Sequence, residues 1–83
     1  MAKVVIYSKN YCPYCDRAKN LLKAKGVPFE EHNIENKPEE MKALMEKTGL
    51  RTVPQIFIDD KLIGGFDDMN ALDKEGKLDP LLK

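Results

Sequence analysis

Hydrophobic and polar positions switch between two periods along this chain of 83 residues. Residues 4–7, VVIY, make a short β-branched apolar run, the pattern of a strand covered on both faces. SKNYCP interrupts it, and from Tyr14 the period becomes helical: Tyr14, Ala18, Leu21 and Leu22 share one stripe, while Asp16, Arg17, Lys19, Asn20 and Lys23 face away. Gly26 offers a C-terminal stop and Pro28 blocks continuation. FEEHNI, residues 29–34, alternates as a half-exposed strand. Residues 36–49, NKPEEMKALMEKTG, predict a second helix with Asn36 and Glu39 as a capping box, Pro38 in the first turn, and Met41, Leu44, Met45 and Thr48 inward. VPQIFID is a third strand, and a tight turn at Asp60 and Lys61 leads into a fourth, LIGG, so the two form a hairpin. FDDMNALDKEG reads as a short helix, acidic at its start as the helix dipole favours, and the apolar tail LDPLLK docks on the core.

The order is therefore β-α-β-α-β-β-α. Strands separated by helices imply a parallel pair, and the hairpin adds antiparallel neighbours. The expectation is one compact α/β domain over residues 1–83, with a four-stranded mixed sheet and helices on both faces. There is no internal repeat, low-complexity segment or linker.

Composition narrows the function classes. Lys plus Arg and Asp plus Glu number 14 each, so the net charge is zero and the basic excess of a nucleic-acid binder is lacking. No apolar run approaches the ~20 residues of a membrane span. The start MAKVVIYSK lacks the apolar core and cleavage site of a signal peptide, so a cytoplasmic location is expected. Charge is nonetheless uneven. Lys9, Arg17, Lys19, Lys23 and Lys25 face only Asp16 over residues 9–25, which places both cysteines in locally positive surroundings.

Both cysteines lie in KNYCPYCDRAK, three positions apart. As a structural staple the pair is a poor choice, because a disulfide closing so small a loop removes little entropy from the unfolded chain. Zinc needs four ligands, and Cys12, Cys15 and the single His32 supply three, with His32 in a strand beyond a helix; no metal is expected. A reaction centre fits best. Cys12 falls where a strand and loop give way to a helix, and unpaired N–H groups there favour a thiolate. Lys9 three residues earlier adds positive charge, and Pro13 suits the first helical position. Cys15, one turn on and deeper, suits a resolving thiol. A C-x-x-C between strand and helix, in a reducing compartment, points to redox chemistry.

CPYC after IYSK, then TVPQIFI, then GGFDD, resembles the dithiol glutaredoxins, and the small bacterial ones most. The resemblance runs from Val4 to the C-terminus. It implies a thioredoxin-like fold and a glutathione-dependent thiol–disulfide oxidoreductase with Cys12 as nucleophile and Cys15 as resolving cysteine. It also implies a cis proline at Pro54 facing the cysteine pair, and backbone contacts from Val53 to the substrate. The implied glutathione site comprises Lys9, Tyr14, Thr52, Val53, Pro54, Gly65, Asp67 and Asp68. In it, Lys9 takes the glycine carboxylate, with Arg51 a weaker candidate, and the start of the last helix takes the γ-glutamyl end. For Tyr14 the competing role is packing on the helix stripe; for Asp67 and Asp68 it is helix capping. Phe66 is at a variable family position.

Glutathione is thus the implied co-substrate. Implied partners are disulfide-containing or glutathionylated proteins, ribonucleotide reductase among them, and the chain is expected to be a monomer. The alternative is an iron–sulfur cluster carrier, a dimer bridged through Cys12 with glutathione completing the ligands, which Pro13 disfavours by family precedent; the monothiol iron–sulfur members read C-G-F-S, which Cys15 contradicts.

Overall fold

The computed structural model describes residues 2–82; Met1 and Lys83, the ends of the expected domain and tail, lie outside the described residues. Four strands, β1 (Val4–Ser8), β2 (Glu30–Asn33), β3 (Gln55–Ile58) and β4 (Lys61–Gly64), form one sheet in the order β2-β1-β3-β4. The helices are α1 (Pro13–Ala24), α2 (Pro38–Thr48), α3 (Phe66–Lys74) and α4 (Leu78–Leu82). The β1–β2 pair is parallel, and β3 runs antiparallel to both β1 and β4.

Strand alternation sorts the core into two layers. Val4 and Ile6 of β1, with Ile56 and Ile58 of β3, pack with Ala18 and Leu22 of α1, Met69 of α3, and Leu78 and Leu82 of α4. On the other face Phe57 joins Ile34, Met41 and Leu44, with Val5, Tyr7 and Val53 at the margin. This is the thioredoxin-like arrangement, with helices on both faces of a mixed sheet. Each fully buried Ile or Leu contributes about 1.5–3 kcal/mol, so the central strands dominate stability. At the sheet edge all four β2 residues are exposed, and their charges discourage pairing with another chain.

Topology also places the site. Because β1 and β3 are antiparallel, with Tyr7 opposite Gln55, the end of β1 lies beside the start of β3. Because β3 and β4 are antiparallel, with Ile56 opposite Gly64, the end of β4 lies there too. The start of α1, the loop before β3 and the start of α3 therefore converge at one end of the sheet.

Four sequence expectations are corrected. Asn36 and Glu39 do not form a capping box: the N-cap of α2 is Lys37, without a side-chain cap, because Pro38 takes the first helical position and bars the preceding residue from helical geometry. The hairpin turn is Asp59–Asp60, both at positive φ (51° and 66°), and Lys61 already belongs to β4. The tail does dock, but as a fourth helix, with Pro80 tolerated in its first turn. Tyr14 leaves the buried stripe of α1, which is instead Cys15, Ala18 and Leu22.

Candidate active site

Cys12 is the N-cap of α1, with extended backbone (φ −111°, ψ 98°). A cap residue ordinarily offers an oxygen to the free N–H groups of the first turn; here sulfur does so. The Cys15 N–H donates to Cys12 Sγ at 3.1 Å, and the Asp16 N–H to the Cys12 carbonyl at 3.1 Å. Pro13, lacking an N–H, leaves none unpaired at N1. Cys12 and Cys15 are joined as a disulfide, their Cα atoms 5.2 Å apart. Cys12 is half-buried and Cys15 is 1% exposed, so an incoming group reaches Cys12 first.

Opposite the sulfur stands the loop before β3. The Val53–Pro54 peptide bond is cis, and the Val53 carbonyl oxygen is 3.9 Å from Cys12 Sγ. A disulfide sulfur has no proton to donate, so this contact is one of proximity; in the dithiol form the Cys12 S–H can point along it. From here a groove of about 390 Å³ opens, lined by Tyr14, Leu50, Thr52, Val53, Pro54, Gly65, Phe66, Asp67 and Asp68. One wall is the loop at residues 50–54, another the start of α3. Between them the rings of Tyr14 and Phe66 face each other, tilted, at 6.4 Å.

The α3 end of the groove is set by glycine. Gly64 has φ +117°, and a Cβ there would collide with the Asp68 carboxylate. Gly65 is the N-cap, and its N–H donates to Asp68 Oδ2 at 3.0 Å. Asp68 therefore caps the helix, as the competing role anticipated, while Asp67 is exposed in the first turn. Of these two adjacent glycines, only Gly64 needs its conformational freedom.

Seven of the eight expected glutathione-site residues line this one groove. Lys9 does not; it is half-buried on the loop between β1 and α1 and forms no ion pair among the described residues. Arg51 lines a separate groove with Lys42, Met45, Glu46 and Gly49. The positive surroundings expected of the cysteines are neutralised only in part. Lys19 pairs with Glu31 (3.0 Å) and Asp16 (3.5 Å), Lys25 with Asp73 and Asp79, and the Arg17 guanidinium rests 5.2 Å from the Tyr14 ring centroid. Lys9, Arg17 and Lys23 form no ion pair among the described residues, so their charge stands beside that of the helix terminus. His32 stacks on Tyr7 at 5.2 Å, and no group of three or more His, Cys, Asp or Glu side chains among the described residues could hold a metal ion. Leu50 and Phe66 are the lining residues that sequence reasoning did not assign. Only their neighbours in TVP and GGFDD signalled them.

The glutaredoxin family model matches residues 4–63. The chain is 54% identical to Glutaredoxin 3 of Escherichia coli over 83 residues, covering all of both chains, and 52% identical to a glutaredoxin of Pseudomonas aeruginosa, covering 99% of this chain and 98% of that one. Its fold superposes with a TM-score of 0.93 on a buckwheat glutaredoxin–glutathione complex, 37% identical, over 98% of this chain and 76% of the other. Sequence match, shared fold and a cysteine pair capping a helix beside a cis proline agree: the chain belongs to the glutaredoxin family.

Proposed function

We propose that this protein is a glutathione-dependent thiol–disulfide oxidoreductase that reduces glutathione mixed disulfides and protein disulfides. The observation that carries the reading is Cys12 at the start of α1, its sulfur held by the Cys15 N–H and 3.9 Å from the carbonyl of Val53, a residue that lines the groove. The positive end of a helix and that N–H favour a thiolate, the nucleophilic form.

In this mechanism the reduced enzyme's Cys12 thiolate attacks the glutathione sulfur of a mixed disulfide. The old S–S bond breaks, the target leaves as a thiolate and takes a proton from solvent, and glutathione stays on Cys12. The thiolate of a second glutathione attacks that bond, releasing glutathione disulfide and restoring the Cys12 thiolate. With a protein disulfide, Cys12 captures one target sulfur and the Cys15 thiolate then attacks Cys12 Sγ, expelling the reduced protein and leaving the Cys12–Cys15 disulfide. One glutathione thiolate attacks Cys12 Sγ, expelling the Cys15 thiolate and leaving glutathione on Cys12, and a second releases it as glutathione disulfide.

For bound glutathione, Val53 offers main-chain groups to the peptide as an added strand would. Thr52 and Pro54 shape that wall, Tyr14 covers the cysteinyl region, and Gly65, Asp67 and Asp68 meet the γ-glutamyl end at the start of α3. Lys9, on the Cys12 side, serves the glycine carboxylate. We assign the protein to the cytoplasm as a monomer acting on disulfide-containing and glutathionylated proteins, with ribonucleotide reductase a candidate target.

Separate assays with a small glutathione mixed disulfide and with a protein disulfide test the roles. Cys12→Ser should reduce both to background. Cys15→Ser should retain the first and lose most of the second; the reverse pattern contradicts the assignment.

A further inference from the structure

Gln55 is the only glutamine in the chain and the one polar residue of β3, where Ile56, Phe57 and Ile58 follow it. It is fully buried, beneath the loop that carries the groove wall. Its Nε2 donates to the Leu50 carbonyl and to the Thr52 carbonyl, each at 3.0 Å. Those two acceptors fix the amide's orientation, since a flip would turn Oε1 against two carbonyl oxygens. Oε1 has no hydrogen-bond partner among the described residues. An amide buried with half its capacity unused is a poor way to fill a core position. What it does supply is a two-point tie across residues 50–52.

That segment is tied at its other end as well. The Leu50 N–H donates to Thr48 Oγ1 at 3.0 Å, and that hydroxyl donates to the Leu44 carbonyl at 3.0 Å, anchoring the loop to the last turn of α2. Leu50 and Thr52 line the groove, as do the next two residues, Val53 and Pro54, whereas Gln55 does not.

We infer that Gln55 is a positioning residue for glutathione: its amide holds the 50–54 wall in place to receive the tripeptide backbone, without touching ligand or sulfur. This rests on the oxidoreductase reading above. It deepens that reading by naming a determinant of affinity outside the binding surface. Reaction of Cys12 depends mainly on the start of α1, on another element, and Gln55 ties Leu50 and Thr52 but not the Val53 carbonyl beside the sulfur, so the residue governs binding far more than thiol reactivity.

The test uses the full chain with Gln55→Met, which keeps length and burial but removes both donors, and Gln55→Glu, which places an acceptor against two carbonyls. Leu50 is half-buried and Thr52 exposed, so water can reach the released carbonyls and the fold should survive in the Met variant. With a glutathione mixed disulfide, KM should rise about fivefold or more while kcat stays within about twofold, and Cys12 alkylation at neutral pH should match the unmodified protein. A folded Gln55→Met protein with unchanged KM overturns the inference, as does a loss that falls on kcat and alkylation together. Should neither variant fold, the unmodified protein labelled with ¹⁵N-glutamine gives a single side-chain amide to observe. Its protons should exchange at least about tenfold more slowly than a free amide and shift when glutathione is added; free exchange or no shift overturns the inference. If the unmodified protein fails to turn over glutathione substrates at all, the oxidoreductase reading falls and takes this inference with it, an outcome visible before any variant is made.

Discussion

Gly64 and Gly65 are adjacent and chemically identical, yet they carry different burdens. Gly64 sits at φ +117° with the Asp68 carboxylate where a Cβ would go, so Gly64→Ala should destabilise the protein by roughly 1–3 kcal/mol, read from the urea midpoint. Gly65 has ordinary backbone angles, and a Cβ there would lie 3.6 Å from the Pro54 carbonyl, a normal contact. Gly65→Ala should therefore leave stability within about 0.5 kcal/mol while narrowing the groove and raising KM for glutathione substrates. Equal destabilisation by the two changes would contradict this division. At Lys9, the binding proposal expects Lys9→Ala to raise KM for glutathione substrates; unchanged kinetics would remove it from the site.

Between elements, polar ties do work that the hydrophobic pattern does not announce. Glu31 on β2 accepts from the Ser8 hydroxyl at 2.6 Å and from Lys19 at 3.0 Å, binding β1, β2 and α1 together just behind the loop that leads to Cys12. The Ser8 hydroxyl first, and Lys19 after it, hold the Glu31 carboxyl below its ordinary value of 4.5, against partial burial that pushes the other way. A depressed carboxyl stabilises the fold above the unfolded-state value, and that contribution fades as pH falls through the lower folded-state value. Thermal unfolding should accordingly show an acid loss below about pH 4.5 that Glu31→Gln reduces; an identical acid limb in the variant would exclude Glu31 as a source. The β3–β4 turn offers the opposite kind of test. Both turn residues have positive φ, and Asp59 is held by its bond from the Lys3 N–H, whereas the Asp60 side chain makes no hydrogen bond among the described residues. Asp60→Gly, giving the Asp-Gly pair such turns favour, should stabilise by about 0.5–1 kcal/mol.

Over the whole molecule, what could be read from the sequence divides along physical lines. The strands and helices followed from local periodicity, and the CPYC position between strand and helix followed from the change of period at Tyr14. Contacts closed by distant residues did not. Tyr14 matches the helical stripe as well as Leu22 does, and only the packing of α3 beside α1 decides that its ring turns to Phe66 and the groove. Gln55 looked like one more residue of a strand, because its partners lie in a loop whose path no local pattern encodes. The basic run around the cysteines was only partly legible for the same reason: the acids that pair with Lys19 and Lys25 lie mostly on β2, α3 and α4, while Lys9, Arg17 and Lys23 stay outside ion pairs among the described residues. With Lys19 and Lys25 paired, the start of α1 and Lys9 on the preceding loop, unpaired among the described residues, remain to favour the Cys12 thiolate. The direct test is the pH dependence of Cys12 alkylation in the fully reduced protein, with Cys15→Ser as the control that isolates one sulfur. A half-maximal rate at or below about pH 7 is expected for a thiolate held by a helix terminus; a midpoint near 8.5, that of a free cysteine, would contradict the account.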